Sequence, residues 1–68
     1  MVDTNKLNGK IAESGYSKTK LSYELGMSVN TLCDKINGKR PFNTKEIVAI
    51  CHKLGIESDS EKVKIFLA

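Results

Sequence analysis

The segment from Ser17 to Lys39, SKTKLSYELGMSVNTLCDKINGK, sets one apolar pair on each side of a glycine. Leu21 and Leu25 are four residues apart, and so are Leu32 and Ile36, the spacing at which side chains share one helix face. Ser17 and Ser28 stand at N-cap positions, Gly26 where the first helix must stop and Gly38 where the second must. These positions predict two short helices, Lys18 to Leu25 and Val29 to about Asn37, with Met27 filling the corner between them. Two helices joined by three or four residues cannot lie antiparallel and both bury an apolar face. A crossing of about 90–120° is expected, with the second helix projecting across the first.

The rest of the chain supplies what such a pair needs around it. Sixty-eight residues make one domain, 1–68, close to the lower size limit for folding on a single hydrophobic core. A first helix is predicted from Asp3 or Thr4 to Ser14, with Leu7 and Ile11 on one face and Gly15 at its end. Gly9 inside it costs about 1 kcal/mol relative to Ala. Lys39 to Phe42 reads as a loop containing the single proline, Pro41, with Phe42 folding back onto the core. Asn43 or Thr44 caps a further helix whose apolar set is Ile47, Ile50, Cys51 and Leu54. Glu46 lies early in that helix, where the helix dipole favours a negative charge. Gly55 closes it. Ser58 or Asp59 starts a last short helix holding Val63, Phe66 and Leu67. Val63, Ile65 and Leu67 also alternate, so a terminal strand is the other possibility there. The fold class expected is all-α, with four to five helices.

Composition narrows the function classes. The formal net charge is +3 and the isoelectric point is near 9.0, a weak lean toward a polyanionic partner. The 11 Lys and Arg are spread along the chain, and their densest cluster is Lys35, Lys39 and Arg40. No apolar run is long enough to span a membrane and no signal-peptide pattern follows Met1, so a soluble, cytoplasmic protein is expected. Cys33 and Cys51 are the only cysteines. A disulfide-stapled domain usually shows four or more, and zinc needs four ligands that two distant cysteines and His52 do not supply. Reduced thiols acting as small apolar residues are expected, with no metal and no cofactor. With one histidine, no recognisable nucleophile–base pair and no glycine-rich phosphate loop, an enzyme is not expected.

The second helix of the pair carries the functional expectation. Leu32 and Ile36 should face in, leaving Val29, Asn30, Asp34 and Lys35 on or beside the outer face. Ser28, Asn30 and Thr31 gather at its N-terminus, where free N–H groups and a partial positive charge suit a phosphate. Asn bonds adenine bidentately, Ser and Thr bond bases or phosphates, and a Val methyl meets a thymine methyl. The plainer alternative is an ordinary capped helix with a solvated outer face. Ser17, Lys18 and Thr19, at the start of the preceding helix, are candidates for phosphate contact, as are Lys39 and Arg40 on the following loop. Lys45, Lys53, Lys62 and Lys64 read as solvated. Asp34 repels phosphate but accepts a bond from cytosine N4; it could instead pair with Lys35 or Lys39, or face a protein.

Ser17–Lys39, the Phe42 that follows and the segment EIVAICHKLGI resemble the lambda-repressor-like (Cro/C1-type) helix-turn-helix family, in particular short repressors and Cro-like regulators of Gram-positive phages and prophages. The closest likeness is TL-x-x-KINGK-x-x-F-x-x-x-EI-x-x-IC-x-x-LGI, which spans Thr31 to Ile56. The terminal KIFL is similar to the tail of that subgroup, so the resemblance covers nearly the whole chain. It implies a compact helix-turn-helix domain that binds double-stranded operator DNA. Base reading would fall on Val29, Asn30 and Asp34 with Thr31 nearby, and backbone contact on Ser17, Lys18, Ser28 and Lys39. Three positions depart from the family pattern. Lys18 replaces a common Gln, Ser22 a common Ala at the close approach of the two helices, and Lys35 a frequently apolar residue.

A sequence-specific regulator of this kind, a phage or prophage repressor or Cro-like protein, is the leading expectation. So small a domain offers few base contacts, so it should dimerise on an inverted repeat, with the apolar Val63 to Leu67 region as the dimer surface; the alternative, favoured for Phe66, is packing onto the domain's own core. The alternative is a protein-binding modulator that docks on another phage repressor with the same fold. A third possibility, the antidote half of a toxin pair, has no support in the residues.

Overall fold

A short polar side chain closes the start of every helix. In a computed structural model, which describes residues 2–67, Asp3, Ser17, Ser28, Asn43 and Ser58 are the N-caps of five helices. Each of the five accepts the backbone N–H three residues on, satisfying a donor that the helix itself cannot. The helices are α1 (Thr4–Ser14), α2 (Lys18–Glu24), α3 (Val29–Ile36), α4 (Thr44–Leu54) and α5 (Asp59–Phe66). Among the described residues there is no strand, so the Val63 to Leu67 alternation does not form one. Met1 and Ala68, the two ends of the expected 1–68 domain, lie outside the described residues.

The turns at either end of α3 need glycine. Gly26 has φ +73° and Gly38 φ +80°, left-handed conformations that a Cβ disfavours. A Cβ built at Gly26 meets nothing within 4 Å, so backbone conformation rather than crowding selects glycine there. Across the same turn the Met27 N–H donates to Ser22 O at 3.0 Å.

One core joins all five helices. Leu7 and Ile11 of α1, Leu21 of α2, Leu32 and Ile36 of α3, Ile50 and Cys51 of α4, and Ile65 and Phe66 of α5 are buried, together with Ile56 from the α4–α5 loop. α1 packs against α3, α4 and α5, and α2 packs against α3. Phe42 folds back as expected and meets Phe66 edge to face, with ring centroids 5.5 Å apart. The radius of gyration is 10.6 Å, close to the roughly 11 Å of a compact chain this long.

Three parts of the expected burial change. On α5, Ile65 and Phe66 are the buried pair, whereas Val63 and Leu67 are 51% and 69% exposed. The cause is a backbone bond from the Asp3 N–H to Ile65 O at 2.6 Å, together with the Phe42 ring against Phe66, which turn that face inward. On α4, Ile47 and Leu54 are only half-buried, at the edge of the core. Lys53, expected in solvent, instead bonds Glu24 at 3.0 Å and ties α4 to the end of α2. Glu24 also accepts the Tyr16 hydroxyl at 3.1 Å. The Lys53 bond holds the Glu24 carboxyl below its ordinary value, and the same bond raises Lys53.

Among the described residues, no helix is long and apolar enough to cross a membrane. Both cysteines are free thiols. Cys51 is buried, and desolvation pushes its thiol up, while Cys33 is half-buried on α3.

Candidate nucleic-acid interface

Of the eight residues of α3, two are buried, two are exposed and four are half-buried. Leu32 and Ile36 are fully buried, one turn apart, and press the helix onto the core. Asn30 lies opposite that pair and is exposed, whereas Val29, seven residues before Ile36 and so on its flank, is 37% exposed at the leading end. The leading turn is closed by Ser28, whose Oγ accepts the Thr31 N–H at 3.1 Å and whose hydroxyl donates to Thr31 Oγ1 at 2.9 Å. Ser28 is exposed and Thr31 half-buried, so this end of the helix bonds only within itself. An amide, a branched methyl pair and two hydroxyls at an outward helix N-terminus can meet base edges and phosphates.

Ser17, Lys18 and Thr19 are all exposed at the start of α2. Ser17 caps the helix by accepting the Lys20 N–H at 3.1 Å. Ser22, the departure from Ala, is 4% exposed and donates to Thr19 O at 2.7 Å. Its hydroxyl is thus satisfied where it is buried, which is why a polar group is tolerated at that close approach.

The basic side chains sort by partner. Among the described residues neither Lys18 nor Lys39 is paired with a carboxylate, and both are exposed. Among the described residues Lys45, Lys62 and Lys64 have no carboxylate partner either, so basic charge is not confined to the α2–α3 surface. Arg40 lies 3.7 Å from Asp34, a loose and mostly exposed pair. Asp34 therefore pairs with Arg40, where the sequence suggested Lys35 or Lys39. Its backbone carbonyl also accepts the Lys39 N–H at 2.8 Å, which holds the loop after α3 against that helix.

Lys35 requires a correction. It was expected on or beside the outer face as a DNA contact, but its side chain is only 13% exposed and turns toward α4. Lys35 Nζ donates to both carboxylate oxygens of Glu46, at 2.5 and 2.7 Å. The physical reason is the capping box at α4. Asn43 accepts the Glu46 N–H at 2.8 Å, and Glu46 returns by accepting the Asn43 N–H at 2.9 Å, which fixes a carboxylate within reach of Lys35. The Lys35 bond, then the Asn43 N–H, hold the Glu46 carboxyl below its ordinary value.

Two residues of this neighbourhood escape a reading of the sequence alone. Glu46 reads there only as a partner of the α4 dipole, although Asn43 three residues before it is the mark of a capping box. Thr4, a possible cap of α1, instead donates from Oγ1 to Ile36 O at 2.7 Å, a bond between residues 32 apart that no local pattern announces. Comparison of the chain with protein-family models, with curated proteins and with solved structures finds no match in any of the three.

Proposed function

We propose that this chain is a sequence-specific double-stranded DNA-binding regulator, a phage or prophage repressor or Cro-like protein of the lambda-repressor-like kind. In this proposal α2, the Gly26 turn and α3 act as a helix-turn-helix, with α3 entering the major groove. Asn30 and Val29 read base edges, with Asp34 beside them. Ser28 and Thr31 meet bases or phosphates, and Ser17, Lys18, Thr19, Lys39 and Arg40 contact the backbone. Lys35 is left out because Glu46 engages it. The supporting observation is the placement of α3: two fully buried side chains hold it down while Asn30 is exposed opposite them and Val29 is 37% exposed at its leading end. A helix with its side chains is about 10–12 Å across, matching a major groove about 12 Å wide. A dimer on an inverted repeat completes the proposal, and the exposed Val63 and Leu67 of the C-terminal segment favour that surface for the partner copy.

A protein-binding modulator of another repressor is the second reading, favoured by Tyr23, an aromatic 84% exposed on α2, and by Val48, 64% exposed on α4. Selection of bound sites from random duplexes separates the two. A palindromic site with half-sites about one helical turn apart is expected. Its affinity should fall with a log–log salt slope of about −0.9 per phosphate contact. Absence of any enriched or retained duplex at low salt would reject DNA binding in favour of the modulator.

A further inference from the structure

We propose that Thr4 and the Lys35–Glu46 pair are positioning residues that set the tilt and rotation of α3 as it meets duplex DNA, an inference that rests on the DNA-binding reading above. Apolar packing leaves this orientation soft. Leu32 and Ile36 are fully buried, but hydrophobic contact is non-directional, and a helix turned by several degrees still buries them. Directional links are different, and among the described residues α3 has them to two distant residues, both from its last turn. From α1, Thr4 Oγ1 donates to Ile36 O at 2.7 Å. From α4, Glu46 takes the Lys35 ammonium on both oxygens while its Oε1 also accepts the Asn43 N–H at 2.9 Å.

Thr4 bonds the Ile36 carbonyl, which points along the helix axis, whereas Lys35 reaches Glu46 through a side chain that leaves the helix sideways. The ion pair and the hydroxyl bond thus come to the last turn from two different helices, and together they restrict both rotation and tilt. The ion pair is little exposed, with side-chain accessibilities of 13% and 19%, so solvent does not loosen it as it does the Arg40–Asp34 pair. At the other end, among the described residues, the Ser28 and Thr31 side chains bond only within that turn. A tilt of about 10° about the rear of an eight-residue helix moves its leading end by about 2 Å, whereas groups that recognise a ligand must be held to about 0.5 Å. Clamps at the rear therefore govern where Asn30 arrives.

The test uses the full chain. Thr4→Val removes the donor at nearly constant shape, and Thr4→Ser restores it. Lys35→Met removes the cation at similar length; Glu46→Gln keeps an acceptor for the Asn43 N–H and serves if Lys35→Met does not fold. Residual dipolar couplings read the orientation of α3 without DNA. In Thr4→Val and Lys35→Met, couplings of Val29–Ile36 should depart from the wild-type orientation while those of α1 and α4 still fit it, and Thr4→Ser should match wild type. Unchanged α3 couplings in the folded variants would overturn the proposal. On the selected duplex Thr4→Val, which leaves the charge unchanged, should lose about tenfold in specific affinity, with non-specific affinity and salt slope unchanged. Equal losses on both kinds of duplex would overturn it too. If the wild type selects no duplex, the DNA-binding reading fails by itself, and the couplings still decide whether these residues orient α3.

Discussion

Asn30 and Lys35 lie five positions apart on α3 and meet opposite surroundings. Asn30 is exposed at the leading turn, while the Lys35 ammonium is folded against Glu46. Their difference was half legible in the sequence. Leu32 and Ile36 define the inward face, which leaves Asn30 opposite it, but Lys35 falls on a flank. Whether a flank is covered depends on where α4 lies after a loop, and the periodicity of α3 carries nothing about that. Lys18 and Lys39 are exposed and unpaired among the described residues, so their predicted role differs in kind from that of Asn30. Asn30→Ala should lower affinity for the selected site by about 1–3 kcal/mol and relax one base position. Lys18→Ala or Lys39→Ala should weaken all duplexes alike and reduce the salt slope by about 1. Fluorescence anisotropy on matched and single-substituted duplexes across salt checks both; undiminished affinity in Asn30→Ala would move the readout face elsewhere.

At the scale of elements, the five helix starts and the stops of α1 to α4 were readable because each rests on a local signal, a polar cap or a glycine in the left-handed region; α5 ends at Leu67 with no such mark. The face of α5 was not. Phe66 was expected in its apolar set and is buried, but the helical spacing of Val63 and Leu67 hid Ile65, whose carbonyl takes the Asp3 N–H from far away in the chain. The junction of α3 with α4 makes a pH prediction. Glu46 is held below its ordinary value of 4.5, first by Lys35 and then by the Asn43 N–H. A carboxylate depressed by folding contributes stability above its unfolded value, and that stability is lost as pH falls through the folded one. Glu46→Gln should therefore be less stable than wild type at neutral pH, and the gap should narrow as pH drops below 4.5. Thermal melts followed by circular dichroism across this range check it; a gap that stays constant into acid would mean that the Glu46 charge contributes nothing.

The whole molecule measures 28 × 24 × 21 Å, and in the proposed function each copy presents one readout helix. Few base contacts follow from that size, so a dimer is expected to supply the affinity that one domain lacks. Carboxylates also partition the charge. Glu24, Glu46 and Glu61 engage Lys53, Lys35 and Lys10, while Lys18 and Lys39 are left without acidic partners among the described residues. The most direct measurement is a backbone amide shift map of the full chain titrated with its selected duplex. Perturbations should concentrate on Ser17–Thr19, Ser28–Thr31 and Lys39–Arg40, and spare the outer faces of α1 and α4. A map centred on Tyr23 or Val48 with the α3 amides unmoved, or no perturbation by any duplex at low salt, would contradict the account.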